Sequence, residues 1–367
     1  MDDSPRSGSL DISIATPRAD GLRLPARFVE HARTLLSWPC RAEVFGPLMG
    51  QAREEWAAVA RAIARFEPVT VLARPEDGDD VRVLCGPEVE VLTMPLDDSW
   101  IRDNGPVFVR DRDGRVAAVG FRFDGWNGQF VPFDQDALVP ERVAAAWGVR
   151  LYRAPFVLEG GAFNTDGEGT LLTTEQCLLH NRNLGMARRD YEAALRDWLG
   201  VEKIVWLPFG LVEDSGPLST GGHVDDVAQF VAPGVVLAQT APPGNPNHAR
   251  LQENLEVLRG ATDAAGRRIE VVEMDLLPYV KGVGAGLDVS GPGATRLMPA
   301  PYVNLVFVNG AVLLPRLEVE GEGAAYARIA ELLPGREVVG LPVEMSAFGG
   351  GGLGCITQQV PAGPFLA

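Results

Sequence analysis

Polar, glycine-containing clusters recur five times along the chain, each beside a short run of residues that favours β-strand. The clusters lie near Trp100, Glu159, His223, Tyr302 and Cys355, at intervals of roughly 50 to 80 residues, which is long enough for a strand-rich unit with one helix. Five such units would form a ring. Because the units share little sequence identity, periodicity alone leaves a conventional α/β sandwich as the alternative.

Strands and helices alternate between these clusters, and this alternation predicts an α/β protein. Apolar residues at helical spacing predict an amphipathic helix over 52–66, and similar stretches predict helices over 188–200 and 247–262. Aliphatic and β-branched runs such as VTVLAR, VEVLTM and GTLLTT predict strands. We expect residues 1–20 to form a flexible tail and residues 21–367 to form a single domain.

The charge balance argues against two classes of partner. The chain has 33 Lys and Arg residues against 49 Asp and Glu residues, a formal net charge of -16. Nucleic acids and anionic membranes are bound through clusters of Lys and Arg, so we expect neither as a partner. The acidity slightly favours a small cationic substrate, although most of the negative charge is explained by its effect on solubility.

The cysteines and the N-terminal sequence indicate a cytoplasmic protein. No two of the four cysteines form a C-x-x-C pair, so the sequence predicts neither a zinc knuckle nor a disulfide framework. The first residues lack a basic region followed by an apolar run, and no 18-residue apolar stretch occurs later. Free thiols in a reducing compartment are the expectation.

Four consecutive glycines, at positions 349–352, precede Cys355. Glycine loses more backbone freedom on folding than any other residue, so such a run is kept where the backbone passes close to another group or takes a positive φ. A cysteine nucleophile needs an approachable position and surroundings that favour its thiolate. Cys355 is therefore a candidate nucleophile.

Two further clusters carry candidate carboxylates. Asp103 lies in the crowded segment LDDSWIRDNGP, which is either a binding rim or a solvated turn held by an ion pair of Arg102. Glu159 ends an apolar run and precedes two glycines. A carboxylate in that position is often partly buried and needs a partner, so it is either functional or part of a structural salt bridge.

The segment GGHVDD contains His223 and Asp225, two residues apart. If this segment is extended, both side chains point to one face and address one cleft, whereas a core histidine bonded to its neighbour is the alternative. Together with Cys355, these groups suggest covalent catalysis on a cation. The acids would hold the positive group, the thiolate would attack it, and the histidine would transfer protons.

The motifs WIRDNGP, LEGGAFN, GHVDD, YVNLVFVNG and GGGLGCITQQVP, in that order, resemble those of the agmatine deiminase and bacterial peptidyl-arginine deiminase family. The N-terminal segment LRLPARFVEHARTLLSWP also resembles that family, so the likeness spans nearly the whole chain. It implies a pentein α/β propeller, in which five ββαβ-type units surround a pseudo-fivefold axis with the active site at the centre. Residues 21–367 would form this one catalytic domain.

The resemblance also implies roles for individual residues. Cys355 would be the nucleophile and His223 the general acid and base. Glu159 would orient the histidine and contact the substrate. The residues implied to bind the substrate are Trp100, Asp103, Glu159, Asp225 and Gly352.

The implied reaction is hydrolysis of a guanidine C–N bond through a covalent thiouronium, with no metal or other cofactor. The expected substrate is agmatine, converted to N-carbamoylputrescine and ammonia in putrescine biosynthesis. Arginine, peptidyl-arginine and other guanidino compounds are alternative substrates, and transfer of the amidino group is an alternative reaction. A non-catalytic binding protein is a further alternative, and a homo-oligomer is also an expectation.

Two departures from the family pattern leave the substrate open. GLGC stands where agmatine deiminases usually carry NIHC, so Gly354 replaces a histidine, and the stretch at 40–50 replaces a familiar DNW segment. The candidate nucleophile, acid/base and carboxylates are all present despite these changes. The segments 40–50 and 281–301 are the candidates for the far end of the pocket.

Overall fold

Strands and helices alternate along the chain in the computed structural model, which describes residues 15–216, 219–282 and 296–367. The predicted α/β class is therefore confirmed. The strands are β1 (His31–Ser37), β2 (Val69–Ala73), β3 (Val89–Thr93), β4 (Val107–Arg110), β5 (Val116–Arg122), β6 (Leu151–Val157), β7 (Phe163–Thr165), β8 (Thr170–Thr174), β9 (Lys203–Leu207), β10 (Ala228–Ala232), β11 (Val235–Gln239), β12 (Glu270–Met274), β13 (Tyr279–Gly282), β14 (Arg296–Pro299), β15 (Val306–Val308), β16 (Ala311–Pro315), β17 (Glu337–Leu341) and β18 (Thr357–Pro361).

The helices lie between these strands and include the three that the sequence predicts, with boundaries shifted by up to three residues. They are α1 (Ala42–Phe45), α2 (Met49–Ala64), α3 (Gly78–Cys85), α4 (Ile101–Asn104), α5 (Gly125–Gly128), α6 (Val139–Trp147), α7 (Glu175–Asn181), α8 (Arg188–Leu199), α9 (His248–Gly260), α10 (Glu322–Leu332) and α11 (Glu344–Gly349).

Five sheets share one strand pattern, in which two antiparallel strands are followed by a third strand parallel to the second. A parallel pair needs a long crossover, and in each unit a helix supplies it: α2, α6, α8, α9 and α10. Each sheet is open at both edges among the described residues. The units are β18–β1–β2 (with β3 as a fourth strand), β4–β5–β6, β7–β8–β9, β10–β11–β12 and β15–β16–β17.

Each polar cluster directly precedes the first strand of a unit. Strand β18 contacts β4, and β7 contacts β10, so segments that precede different first strands lie close together in space. The residues in these positions are Asp103 before β4, Glu159 before β7, His223 before β10, Asn304 before β15 and Cys355 before β18.

The strand next to the candidate nucleophile closes the first unit through a long-range contact. Strand β18 pairs antiparallel with β1, with Leu35 opposite Gln358 and Leu36 opposite Thr357. Strand β1 is also parallel to β2, so it lies between two partners and is shielded on both edges. The segment carrying Cys355 is therefore fixed by a strand that lies more than 300 positions earlier in the chain.

Helix α2 shows how an amphipathic pattern positions the site. Trp56 and Ile63, on its apolar face, are fully buried. The Trp56 ring packs edge-on against Phe45, with ring centroids 5.7 Å apart, and against Trp100, with centroids 6.1 Å apart. Edge-to-face aromatic pairs add to the energy of burial, so this helix braces one of the predicted pocket residues.

Part of the predicted tail is attached to the domain. Residues 1–14 lie outside the described residues. The backbone N–H of Arg18 donates to the carbonyl of Asp197 at 3.1 Å, and the Asp20 carboxylate lies 2.9 Å from the guanidinium of Arg150. Among the described helices, none has an apolar stretch long enough to cross a lipid bilayer.

Two valines on helix α3 test the packing of this fold. Val81 is fully buried and Val83 is 80% exposed. We expect Val81→Ala to lower the free energy of unfolding by about 2 kcal/mol, because two buried methyl groups are lost and a cavity remains. Val83→Ala should change it by less than about 0.5 kcal/mol. Urea unfolding of both variants measures the difference, and equal effects would contradict the packing described.

Candidate active site

The segments that precede the first strands bring most of the predicted residues to one place. The His223 imidazole lies between two carboxylates: Nδ1 is 3.8 Å from Asp103 Oδ2, and Nε2 is 3.8 Å from Glu159 Oε2. All three side chains are at most 2% exposed. Burial lowers the pKa of the imidazole, but Asp103, Cys177 and Glu159 more than offset it, so the pKa lies well above its ordinary value. The two flanking carboxylates therefore favour the protonated form of His223.

The local argument that placed His223 and Asp225 on one face was wrong. Residues Val224–Asp226 form a 3-10 helix rather than an extended segment. The Asp214 carboxylate causes this compact loop, because it accepts hydrogen bonds from the backbone N–H groups of Thr220 at 2.6 Å and of His223 at 3.0 Å. Asp214 is thus a positioning residue for the imidazole.

Glu159 is ionised by a buried partner. Arg182 Nε donates to Glu159 Oε1 at 2.6 Å, and neither side chain is exposed. Burial opposes ionisation, but Arg182 and His223 outweigh it and lower the pKa of Glu159 to about 2. The salt bridge that we considered as an alternative role for Glu159 is therefore present, and the second carboxylate oxygen still faces the imidazole.

Asp103 accepts hydrogen bonds from two donors, and the neighbouring Gly161 has no room for a side chain. Its Oδ1 accepts from the backbone N–H of Gly161 at 3.0 Å, and its Oδ2 accepts from Trp126 Nε1 at 3.0 Å. A Cβ at Gly161 would lie 2.4 Å from His223 Nδ1, so only glycine fits there. Burial and the neighbouring carboxylates raise the pKa of Asp103 to about 6.

Asp225 is the least satisfied carboxylate of the site. It is fully buried, and neither of its oxygens has a hydrogen-bond partner among the described residues. Asp225 does have a cationic neighbour in Arg27, whose Nη1 lies 3.5 Å from Asp225 Oδ2. Arg27 is itself occupied, since its guanidinium donates to Gln229 and to the carbonyl of Gly160. A buried carboxylate that lacks donors is costly, so this site is built to receive them from a ligand.

Asn304 links Cys355 to the rest of the site. Its Nδ2 lies 4.0 Å from Cys355 Sγ and donates to the carbonyl of Asp225 at 3.3 Å, while its Oδ1 accepts from the N–H of Gly354 at 2.7 Å. Burial, followed by Asp225, Asp226 and Asp103, raises the pKa of Cys355 well above its ordinary value. Without a bound cation, the sulfur is therefore a neutral thiol.

The glycine run lies flat against an aromatic ring. A Cβ at Gly351 would lie 2.5 Å from the Trp100 ring, and one at Gly349 would lie 2.9 Å from it. Gly350 has a φ of +100°, which side-chain-bearing residues rarely adopt. The prediction that close approach explains the glycines is confirmed, and Trp100 is the group approached.

Gly352 and Gly354 lie on a different side of the loop from the other glycines. The carbonyl of Gly352 accepts from the N–H of Cys355 at 3.1 Å, and a Cβ at either glycine would lie 2.7 Å from Asn304 Oδ1. Gly352 does not line the cavity described below, so its predicted contact with substrate stays a prediction. Gly354 fits here because Asn304 occupies the space that a side chain would need.

Arg102 clamps the nucleophile loop rather than forming the ion pair that we considered. Its Nε donates to the carbonyl of Gly354 at 3.1 Å, and its Nη1 and Nη2 donate to Gln358 and Gln359 at 2.7 and 2.6 Å. Its backbone N–H also donates to the carbonyl of Cys355 at 3.1 Å. Sequence reasoning missed this role, and it missed Asn304, although both lie within the motifs that were recognised.

A narrow cavity opens onto the sulfur. It is lined by Trp100, Asp103, Trp126, Cys355 and the glycines at 349–351. A second cavity adjoins it through Ser219, Gly350 and Gly351. That cavity is lined by Leu211, Glu213, Asp214, Asp226, Met298 and Pro299.

The two segments expected at the far end of the pocket differ in their placement. In the segment 281–301, residues 283–295 lie outside the described residues, but Met298 and Pro299 line the second cavity. The stretch at 40–50 lines neither cavity among the described residues. Its Phe45 instead packs behind the glycine run, where a Cβ at Gly349 would lie 3.2 Å from the Phe45 ring.

Comparison with known proteins gives consistent results. The model of the Porphyromonas-type peptidyl-arginine deiminase family matches residues 23–361. The agmatine deiminase of Pseudomonas fluorescens is 40% identical over 363 residues, which cover 95% of this chain and 98% of that protein. The structure of Enterococcus faecalis agmatine deiminase has a TM-score of 0.90 at 34% identity, covering 95% of this chain and 98% of that one. DDAH of Pseudomonas aeruginosa shares the fold, with a TM-score of 0.50, 16% identity and coverage of 90% and 99%.

Two buried carboxyl groups hold the loop that carries Trp100. Asp136 Oδ1 accepts from the N–H groups of Asp97 at 2.8 Å and Asp98 at 3.2 Å, and Asp98 lies 2.8 Å from Arg41 Nε. Burial is the main cause that raises the pKa of Asp98 to about 6, and burial together with Asp98 raises that of Asp136 to about 7. The folded protein therefore binds protons at these groups where the unfolded chain does not.

This proton uptake predicts how stability depends on pH. Because the folded state binds more protons than the unfolded state between about pH 4 and pH 7, these groups make the free energy of unfolding fall as the pH rises through that range. Asp136→Asn should reduce the fall by at least about 1 kcal/mol. Urea unfolding at pH 5 and pH 8 measures it, with the exposed Asp134→Asn as the matched control. An unchanged pH dependence in Asp136→Asn would contradict the assignment.

Proposed function

The chain belongs to the Porphyromonas-type peptidyl-arginine deiminase family, and we propose that it is a guanidine deiminase that hydrolyses agmatine to N-carbamoylputrescine and ammonia. One observation carries the proposal: buried carboxylate oxygens of the site lack donors, and one of these carboxylates, Asp225, acts electrostatically on the buried thiol of Cys355. Both oxygens of Asp225 and Oε2 of Glu159 lack hydrogen-bond partners among the described residues. A monosubstituted guanidinium is a planar cation with five N–H donors, so it supplies what these groups lack.

Binding of the guanidinium would also activate the nucleophile. The carboxylates of Asp103 and Asp225 raise the pKa of Cys355 in the free protein. A cation bound between them offsets that effect and favours the thiolate. The same two carboxylates fix the plane of the guanidinium, so the sulfur can approach its central carbon from one face. A substrate that is not cationic would leave the sulfur as a thiol.

The protonated imidazole of His223 is suited to the next step. Cys355 Sγ attacks the guanidinium carbon and forms a tetrahedral adduct. His223 then gives its proton to one amino group, the C–N bond breaks, ammonia leaves, and a thiouronium remains on the sulfur. Neutral His223 next takes a proton from the attacking water. Collapse of the second adduct releases a ureido product and the thiolate, and frees one proton from the adduct's hydroxyl group. That proton returns the sulfur to a thiol, and the proton that the thiol lost when the guanidinium bound converts the released ammonia to ammonium.

The second cavity favours an amine over a carboxylate at the far end of the substrate. Asp226 and Glu213 line it, and Glu213 accepts from Asn247 Nδ2 at 2.9 Å. Burial and the adjacent carboxylates of Asp225 and Asp214 raise the pKa of Asp226 well above its ordinary value. An arriving ammonium would offset this repulsion, whereas the carboxylate of free arginine would add to it. This contrast supports agmatine over arginine.

The five units suggest the arrangement that surrounds such a site. Each contributes one polar segment before its first strand. The segments that carry Trp100, Thr220 and Cys355 line one cavity, while Glu159 lies beside His223 and Asn304 lies beside Cys355. We infer that the units surround a pseudo-fivefold axis as a pentein α/β propeller. The likeness to agmatine deiminase structures and to DDAH supports this arrangement. The cytoplasmic location and the place in putrescine biosynthesis remain proposals that follow from the activity.

A panel of guanidino compounds tests the activity. Agmatine, arginine, an arginyl peptide and guanidinobutyrate are assayed for ureido product and ammonia, and agmatine should have the highest kcat/KM. Cys355→Ala should lose turnover by more than about a thousandfold while agmatine still binds, whereas Cys85→Ala should keep it. Conversion of none of the four compounds would refute the proposal. A new guanidino product formed with an added amine would instead indicate amidino transfer.

The role of the second cavity predicts opposite effects on two substrates. Asp226→Asn should raise the KM for agmatine by about tenfold, because a charge-assisted contact to the amine is lost. The same variant should lower the KM for guanidinobutyrate, whose tail is a carboxylate. Steady-state kinetics of the variant is measured with both substrates, so that each substrate is the control for the other. Changes of KM in the same direction for both would rule out contact between Asp226 and the far end of the substrate.

A further inference from the structure

A second buried cysteine lies beside the imidazole and has no part in the proposed reaction. Cys177 is on helix α7, and its sulfur, a nitrogen of His223 and a carboxylate oxygen of Glu159 all lie within 4.8 Å of one another. Cys177 and Glu159 are fully buried and His223 is 1% exposed. The three groups come from three separate segments of the chain, so only the tertiary fold assembles them.

These groups have unused coordinating atoms. Both imidazole nitrogens of His223 and Oε2 of Glu159 lack hydrogen-bond partners among the described residues. Buried polar atoms in native proteins are almost always hydrogen-bonded, whereas the His223 nitrogens and Glu159 Oε2 have only ion-pair contacts at 3.8 Å, so they can still take a ligand. The donors are one sulfur, one nitrogen and one oxygen, which is a set that zinc and similar borderline-soft divalent ions prefer.

We propose that Glu159, Cys177 and His223 form a binding site for a zinc-class divalent ion, and that occupation of this site inhibits the enzyme. Three protein ligands leave a fourth tetrahedral position for water. The surrounding charges suit the ion: Glu159, Asp103 and the Cys177 thiolate carry three negative charges, and Arg182 with the divalent ion carries three positive charges.

The neighbouring groups also support coordination. Arg182 Nε holds Oε1 of Glu159 at 2.6 Å and leaves Oε2 directed at the imidazole. Asp103 faces the other ring nitrogen of His223 at 3.8 Å, which gives the carboxylate–histidine–metal order found in many zinc sites. Asp103 also lines the open cavity.

Binding would displace protons and thereby stop the reaction. The ion binds the Cys177 thiolate and the neutral imidazole, so one proton leaves the thiol and one leaves the imidazolium. A metal-bound His223 can neither give a proton to ammonia nor accept one from water. The inhibitory part of the inference rests on the proposed role of His223, whereas the binding part does not.

Direct metal binding tests the site independently of turnover. Metal-free protein is titrated with zinc in competition with a chromogenic chelator, and with cobalt(II), whose bond to a thiolate gives a characteristic charge-transfer absorption. Wild type, Cys355→Ser and the matched buried control Cys85→Ser should each bind one ion with that absorption. Cys177→Ser and Cys177→Ala should lose the absorption and more than about tenfold in affinity. Thermal unfolding confirms that each variant is folded.

Inhibition provides the second measurement. Measured against its own metal-free turnover, Cys177→Ser should need more than about tenfold more zinc for half-inhibition than wild type. Loss of the cobalt absorption in Cys355→Ser but not in Cys177→Ser would overturn the proposal, because the ion would then lie on the nucleophile. Absence of binding in wild type would also overturn it. Either failure in an active enzyme leaves the deiminase proposal intact. Binding without any turnover would instead refute the deiminase proposal and the inhibitory part that rests on it, and would support the metal site alone.

Discussion

The pairing of one buried imidazolium with two buried carboxylates is the interaction on which the rest of the site depends. Asp103 and Glu159 each lie 3.8 Å from a nitrogen of His223, and the three side chains are almost completely removed from water. In such a low-dielectric region each charge needs a partner. This need explains why arginines and backbone donors lie next to the carboxylates. Arg182 donates a hydrogen bond to Glu159, and the backbone N–H of Gly161 donates one to Asp103. Asp225, which lacks an equivalent donor, is left for a ligand.

The repeated unit explains how such distant residues meet. Each unit begins with a polar segment that enters its first strand, and contacts link the side chains that these segments carry. His223 lies between Asp103 and Glu159, and Asn304 lies beside Cys355. Glycines beside these side chains are required because neighbouring groups leave no room for a Cβ, not because the backbone must be flexible. Gly161 lies against His223, and Gly351 lies against Trp100, in both cases too closely for a Cβ.

Much of the fold and part of the site could be predicted, because they depend on local sequence patterns. Strand and helix alternation, the amphipathic face of α2, and the close approach signalled by the glycine run all depend on neighbouring residues. The contacts that were missed depend on tertiary structure. The ion pair of Arg102 was considered as one alternative, but Arg102 reaches neutral acceptors on β18. The shared face of His223 and Asp225 was argued on the condition that their segment is extended, but Asp214 holds it in a compact turn. No local pattern places Cys177 beside the imidazole. The sequence of its helix, α7, indicates an N-terminal cap and a buried face but not what that face contacts.

The pairing of β1 with β18 has a consequence for how the protein becomes active. The segment that carries the sulfur is positioned only when these two strands, separated by more than 300 residues, have met. Contacts of such high sequence separation form late and slowly, because much chain entropy is lost before they are rewarded. Alignment of the sulfur therefore depends on the pairing of two strands from opposite ends of the chain, whereas Asp103, Glu159 and His223 all lie between those strands in the sequence.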